Sequence, residues 1–367
     1  MSNEGSNIGR IAGLLGAVGA AAAVGAAVGI AAQRGITRRA IATDPERAEP
    51  FGQIRGRVVP VYADDGALLH VEVDDPPPGS LAERLGDGLT VVFSHGYALE
   101  QDSWHYQRRD LGDLARLVFW DQRSHGRSER GFSANATIDQ LGRDLERVIK
   151  VAAPTGPLIL VGHSMGGMTV MSYTAQNSEE FGHRVRGVAL LATSSGGLSD
   201  ISLGLPAPLA KAFHSLAPKI ANVLAQRADL VERGRQVGGD LEYLITKLYS
   251  FGSDASPAVA SFVHRMVSST PIDVVADFLP TLQEHDKRIA LDALGRVETL
   301  VLVGDSDLLT PAEHSGEIVR RIETAEFVLV PDSGHMVMLE KYPEVNQHLR
   351  DLIVRVRLNL PGWQESA

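Results

Sequence analysis

The sequence predicts an α/β fold, a mostly parallel central sheet flanked by helices on both faces. Three observations predict it. Short runs of Val, Leu, Ile and Phe recur along the chain, as in "LTVVFSHG", "GPLILVGHS" and "VETLVLVGD". Segments with helical spacing of apolar residues separate them. The runs are continuously apolar rather than alternating, as in strands buried on both faces. With 367 residues, the chain has room for one large domain of this kind or two modest ones.

Taken from the N-terminus, the first element stands apart. Ile11 to Gln33 carries no charge, is bracketed by Arg10 and Arg34, and is long enough to cross a bilayer as a helix. Gly25 and Gly29 form a small-xxx-small pair, which the abundance of Gly in this segment explains without a dimer motif. A retained anchor, a cleaved signal peptide and a flexible tail compete for the segment. Arg34, Arg38, Arg39 and Arg47 follow the run, so the positive-inside rule puts the C-terminal bulk in the cytoplasm. The expectation is therefore residues 1–33 as a tail and single-pass transmembrane helix at the cell membrane, with a secreted or outward-facing form as the alternative. Residues 34–56 read as a linker, with Pro45, Pro50, Gly52 and Gly56 among charges.

The body follows in order. Arg57 to Asp74 reads as two strands around the Asp65-Gly66 turn. Leu89 to Gly96 and Arg116 to Asp121 read as buried strands, and Asp139 to Ala152 as a helix through Leu141, Leu145, Val148 and Ile149. A strand in "GPLILVGHS", a helix after it and a strand at Val185 to Thr193 come next. Strands at Val297 to Asp305 and Ala325 to Asp332 flank a helix opened by Pro311. A final helix starts near Met336 to Glu340 and runs past Leu349.

Composition removes several function classes. A net charge of −10 argues against a general nucleic-acid binder. No Cys is present, which excludes disulfides, thiolate nucleophiles and Cys-ligated zinc. No metal site is expected, and no cofactor.

Ligands of parallel sheets sit at the C-terminal strand ends, and the chemistry-bearing residues fall there: His95 and Tyr97, Ser164, Asp305 and Asp307, and His335. Ser164 stands between Gly162 and Gly166, after a strand and before a helix. Such a turn suits a nucleophile held in a strained backbone conformation, and Gly167 lets the helix sit close to the sheet. A serine needs a base, and the base an orienting acid. His335 sits in a Gly turn after the last strand, and "GDSDLLTP" offers Asp305 and Asp307. Two backbone donors for an oxyanion are expected at the N–H groups of Tyr97 and Met165.

As an ordered set, "FSHGYALEQDSW", "DQRSHGRSE", "GHSMGG", "GDSDLLTP" and "SGHMVMLEKYPE" resemble the successive motifs of the α/β-hydrolase superfamily. The closest branch is that of small esterases, cofactor-free haloperoxidases and C–C bond hydrolases. The resemblance covers about residues 57 to 355, the middle insertion apart. It implies Ser164, Asp307 and His335 as a catalytic triad, with the pattern G-x-x-D-x-x-x-P matched by Gly304, Asp307 and Pro311. It implies a structural role for His125. It also implies a core at 57–197 and 297–358, with 198–296 as a helical cap inserted after the sixth strand. The cap's apolar residues include Leu205, Phe213, Leu216, Leu224, Leu241, Leu244, Phe262, Met266 and Phe278. The expected activity is hydrolysis of a small-molecule carboxylic ester or thioester through an acyl-enzyme. C–C hydrolysis or perhydrolysis on the same residues, and a non-catalytic binding protein, are the alternatives.

Overall fold

The computed structural model describes residues 44–198 and 242–360. The expected transmembrane run Ile11 to Gln33 lies outside them, as do Leu205, Phe213, Leu216, Leu224 and Leu241 of the expected cap. No helix among the described residues is long and apolar enough to cross a membrane.

Eight strands form one sheet in the order β1-β2-β4-β3-β5-β6-β7-β8. They are β1 (Arg57–Tyr62), β2 (Leu68–Asp74), β3 (Thr90–Ser94), β4 (Arg116–Trp120), β5 (Leu158–His163), β6 (Val185–Leu191), β7 (Glu298–Gly304) and β8 (Glu326–Val330). β1 and β2 form the expected hairpin, and β2 pairs antiparallel with β4. From β4 onward every pairing is parallel.

Alternation along the strands divides the apolar residues between two cores. Ile159 and Val161 of β5 join one core with Val345, Leu349, Leu352 and Ile353. Leu158 and Leu160 join the other with Leu145, Val148, Ile149 and Ile318. Every residue of β3 and β5 is buried, as the continuous apolar runs predict. β8 departs from this reading: Phe327 and Leu329 are 42% and 48% exposed. Among the described residues it pairs with β7 alone, at the edge of the sheet, and the face that carries Phe327 and Leu329 is left partly uncovered.

The helices that bear on the site are α1 (His105–Leu111), α2 (Ile138–Ala152), α3 (Met165–Gln176), α4 (Pro257–Ser269), α5 (Ile272–Gln283), α6 (Ala312–Arg321) and α7 (Tyr342–Leu358). Thr137 caps α2 by accepting from the Gln140 N–H at 3.1 Å. The single final helix expected from Met336 onward is two: a short one at Val337–Glu340, then α7. Pro343 has no N–H to continue the first and suits the opening turn of the second.

The chain divides into two units: residues 1–49 with Ser256–Ala258, and residues 50–255 with 259–367. In the first, Asp44 accepts from the Ser256 hydroxyl at 2.6 Å and the Ala258 N–H at 2.8 Å. The site lies wholly in the second. There the expected linker is bound down from Phe51 on. The Phe51 ring stacks on Phe262 at 4.9 Å, and Arg55 pairs with Asp102 at 2.6 Å. A single aromatic anchor leaves no periodicity, so composition alone read this stretch as loose.

Candidate active site

Sheet register assembles the site. β3 pairs with β4 on one side and β5 on the other, so the chain reverses its direction of winding at β3. That is where α/β sheets open a crevice at their strand ends. Ser94 lies opposite Gly162, His163 opposite Leu191, and Gly304 opposite Val330. The loops that follow these strands therefore meet at one edge. They carry Tyr97, Ser164, Asp307 and His335.

Ser164 ends the β5 turn and opens α3 at φ 52°, ψ −118°. A side chain rarely adopts positive φ, and holding it there costs of order 1–3 kcal/mol. Two hydrogen bonds fix the turn: the Ser164 N–H donates to the Leu191 carbonyl at 2.9 Å, and the Thr193 hydroxyl donates to the Ser164 carbonyl at 2.7 Å. The flanking glycines serve close approach. A Cβ on Gly162 would overlap the Gly166 carbonyl, and one on Gly166 would overlap the Ser94 carbonyl. A Cβ on Gly167 would come within 2.7 Å of Thr193. The strain thus sits on the serine, while the glycines let helix and strands touch.

Asp307 is buried and fully engaged. It accepts from His335 Nδ1 at 2.8 Å, the Thr310 hydroxyl at 2.8 Å, and the N–H groups of Leu309 and Thr310 at 2.9 Å each. Burial opposes its ionisation, but the neighbouring His335 and these donors outweigh burial and hold its carboxyl below the usual range. A carboxylate only accepts, so Nδ1 of His335 carries the proton and Nε2 presents a lone pair. Asp305, the other carboxylate of the loop, is exposed and accepts from the Ser306 hydroxyl at 2.9 Å.

Of the supporting residues, His95 was legible from its place after β3, while His163 and Glu340 were not. His163 donates from Nε2 to the His335 carbonyl at 2.9 Å, and burial drives its pKa down to about 3, so it is neutral. Glu340 accepts from the Gly334 N–H at 2.7 Å and the Ser253 N–H at 2.7 Å, tying the His335 turn to the chain returning from the cap. His95 accepts the Gln122 N–H at 2.9 Å, and burial lowers its pKa to about 4. Thr310, three residues after Asp307 and just before Pro311, is the one whose spacing offered a signal. His125 is buried with Nδ1 2.9 Å from the Arg123 carbonyl, and it does not line the cavity at Ser164.

That cavity holds about 320 Å³. Ser164, His335, Thr310, His163 and Tyr97 line it, together with Leu99, Met168, Val263, Leu279 and Leu282 among others. Among the described residues, no Lys, Arg, Asp or Glu lines it. The N–H groups of Tyr97 and Met165 have no acceptor among the described residues. The Tyr97 hydroxyl donates to the Val275 carbonyl in α5, and burial raises its pKa, so it stays a donor.

Residues 90–342 match the family model described as alpha/beta hydrolase fold. The chain belongs to the α/β-hydrolase family. Among α/β-hydrolases, it is 26% identical over 267 residues to the AB hydrolase superfamily protein YisY of Bacillus subtilis, covering 72% of this chain and 91% of that one. It is 29% identical over 269 residues to the monoacylglycerol lipase of Mycolicibacterium smegmatis, covering 71% and 85%. A thermophilic esterase from Thermogutta terrifontis superposes with a TM-score of 0.62 at 24% identity, covering 82% of this chain and 99% of that one. Esterases and lipases are thus among the relatives of this α/β-hydrolase.

Proposed function

We propose that this α/β-hydrolase cleaves a carboxylic ester or thioester through an acyl-enzyme on Ser164. One observation carries the reading. Ser164, at positive φ, and His335, tied to Asp307 at 2.8 Å, face the same apolar cavity. His335 Nε2 takes the Ser164 proton as the hydroxyl attacks the carbonyl carbon. The N–H groups of Tyr97 and Met165 receive the developing oxyanion. The imidazolium, stabilised by Asp307, then protonates the leaving alcohol or thiol. Water, deprotonated by His335, attacks the acyl carbon, and the proton returns to Ser164 as the acid leaves. No hydrogen bond joins Ser164 to His335 in the free protein, a looseness common before substrate binds. The described part of the lining is uncharged, which favours a neutral acyl substrate. C–C hydrolysis or perhydrolysis would use the same residues.

A fluorophosphonate should label Ser164 and stop hydrolysis of p-nitrophenyl esters. Ser164→Ala should abolish labelling and lower turnover by roughly 10³ to 10⁶ while the fold survives. Undiminished turnover in the purified variant would refute the serine route.

The charge-free run Ile11 to Gln33 supports a second part of the proposal: the enzyme is anchored at the membrane with its catalytic body in the cytoplasm. The full chain should sediment with membranes, and protease added to intact cells should spare the body. Digestion without lysis would reverse the topology.

A further inference from the structure

We propose that the cavity recognises an uncharged hydrogen-bonding group on its substrate, held by the side-chain amide of Gln283, with the Ser250 hydroxyl a second polar group of the same lining. This rests on the hydrolase reading and names its substrate more closely.

The polar side chains of the cavity sort into two sets. Ser164, His335 and Thr310 serve the reaction, His163 is bonded to the His335 carbonyl, and the Tyr97 hydroxyl is engaged by Val275. Gln283 and Ser250 are different. Both line the cavity, and neither side chain has a hydrogen-bond partner among the described residues. Gln283 is the last residue of α5, half-buried and next to the cavity-lining Leu282. Its amide brings two donors and one acceptor into an otherwise apolar wall.

The half-buried amide can be served by solvent in the empty cavity, and a substrate that displaces that solvent without hydrogen-bonding in its place leaves the amide unsatisfied. A plain hydrocarbon chain would be served better by another Leu. Among the described residues the lining offers a charged substrate group no counter-charge. The complement that fits is neutral and forms hydrogen bonds, as a hydroxyl or an amide does. It can belong to the alcohol half or the acyl half of the ester.

Matched substrate pairs test this. On the alcohol side the pair is glyceryl decanoate against propyl decanoate. On the acyl side it is p-nitrophenyl 3-hydroxydecanoate against p-nitrophenyl decanoate. The wild type should favour the hydroxylated member of one pair by about fivefold to tenfold in kcat/KM, the effect of one hydrogen bond. Gln283→Leu should bring that ratio to about one, and Ser250→Ala should lower it less. A ratio within a pair does not depend on how much folded enzyme is present, so partial misfolding cannot imitate the result. Ratios that Gln283→Leu leaves unchanged in both pairs would overturn this inference and leave the hydrolase reading standing. A wild-type chain inert to fluorophosphonate and to every ester would remove the hydrolase reading, and this inference with it.

Discussion

The strand ends and the described helices between β6 and β7, called the cap below, line the same cavity by different means. At the strand ends the backbone decides. Ala98, Ser164 and Ala192 all take positive φ just past β3, β5 and β6, and Gly162 and Gly166 allow contacts that no side chain would permit. The hydrogen bonds there converge on Asp307 and the His335 turn. The described cap residues are held by side chains instead. Arg130 pairs with Asp273 at 2.6 Å, the Thr281 hydroxyl accepts from the Ile138 N–H at 3.0 Å, and Tyr97 bonds Val275. Backbone constraint places atoms closely and tolerates little change. Side-chain contact holds a wall that can be altered. The strand ends should thus govern rate and the cap should govern selection.

The largest test falls on the strand-end carboxylate. Asp307→Asn keeps the shape but loses the charge that stabilises a protonated His335, and should lower kcat by roughly 10² to 10⁴. Asp305→Asn, on an exposed group, should leave kcat within about twofold, the usual behaviour of a surface change. Steady-state kinetics on both variants decide. A greater loss at Asp305 would assign the acid to the wrong carboxylate.

Gly166→Ala tests the backbone claim directly. Its Cβ would overlap the Ser94 and His95 carbonyls, so the elbow must shift. The expected cost is about 1–3 kcal/mol of stability, together with slower fluorophosphonate labelling. Melting and labelling rates are the measurements, and an unaltered elbow would show that the close approach is unnecessary.

Acid should weaken the fold through its buried histidines on both sides of the comparison, since burial lowers His285, between β6 and β7, to about 4 as well. Burial lowers His163 to about 3 and His95 to about 4, against an ordinary value of 6.5. Above 6.5 both are neutral folded or unfolded and add no pH dependence. Below it the unfolded chain binds protons that the fold refuses. Stability then falls as pH drops from 6.5 towards 3–4, by up to about 1.4 kcal/mol per pH unit for each group. His163→Gln should flatten part of that slope in pH-dependent melts, and an unchanged slope would dissociate it from His163.

The smallest effect is expected where the halves meet. Tyr97→Phe keeps the ring in the cavity and removes the bond to Val275. It should cost about 1 kcal/mol of stability. Its kcat on a short p-nitrophenyl ester should change little, because the proposed oxyanion donor is the backbone N–H. A large kcat loss would mean that cap and oxyanion site are coupled through this side chain.

How much was legible depended on range. The β strands, the β1–β2 turn, α2 and α3 follow from local pattern, because buried parallel strands must be apolar and a Gly-bracketed serine needs a strand before it and a helix after it. The uncovered face of β8 and the break before α7 were less legible. The first depends on what lies beside the strand, the second on how Pro343 meets the preceding turn. Candidate residues at the strand ends could be named because such sheets bind ligands there, and the order of Ser164, Asp307 and His335 could be read from a family pattern.

By itself, the sequence determined the fold class, the edge of the sheet where chemistry can occur, and the residue types present there. These follow from hydrophobic periodicity and from glycines that nothing else can replace. A family pattern pointed to Asp307, but only the tertiary structure decided how it meets His335, that His163 and Glu340 brace the His335 turn, and that Gln283 lines the cavity without a partner among the described residues. The bonds from His335 to Asp307 and His163, and from Ser253 to Glu340, join residues far apart in the chain, and their distances are set by strand register and by packing of the insertion between β6 and β7.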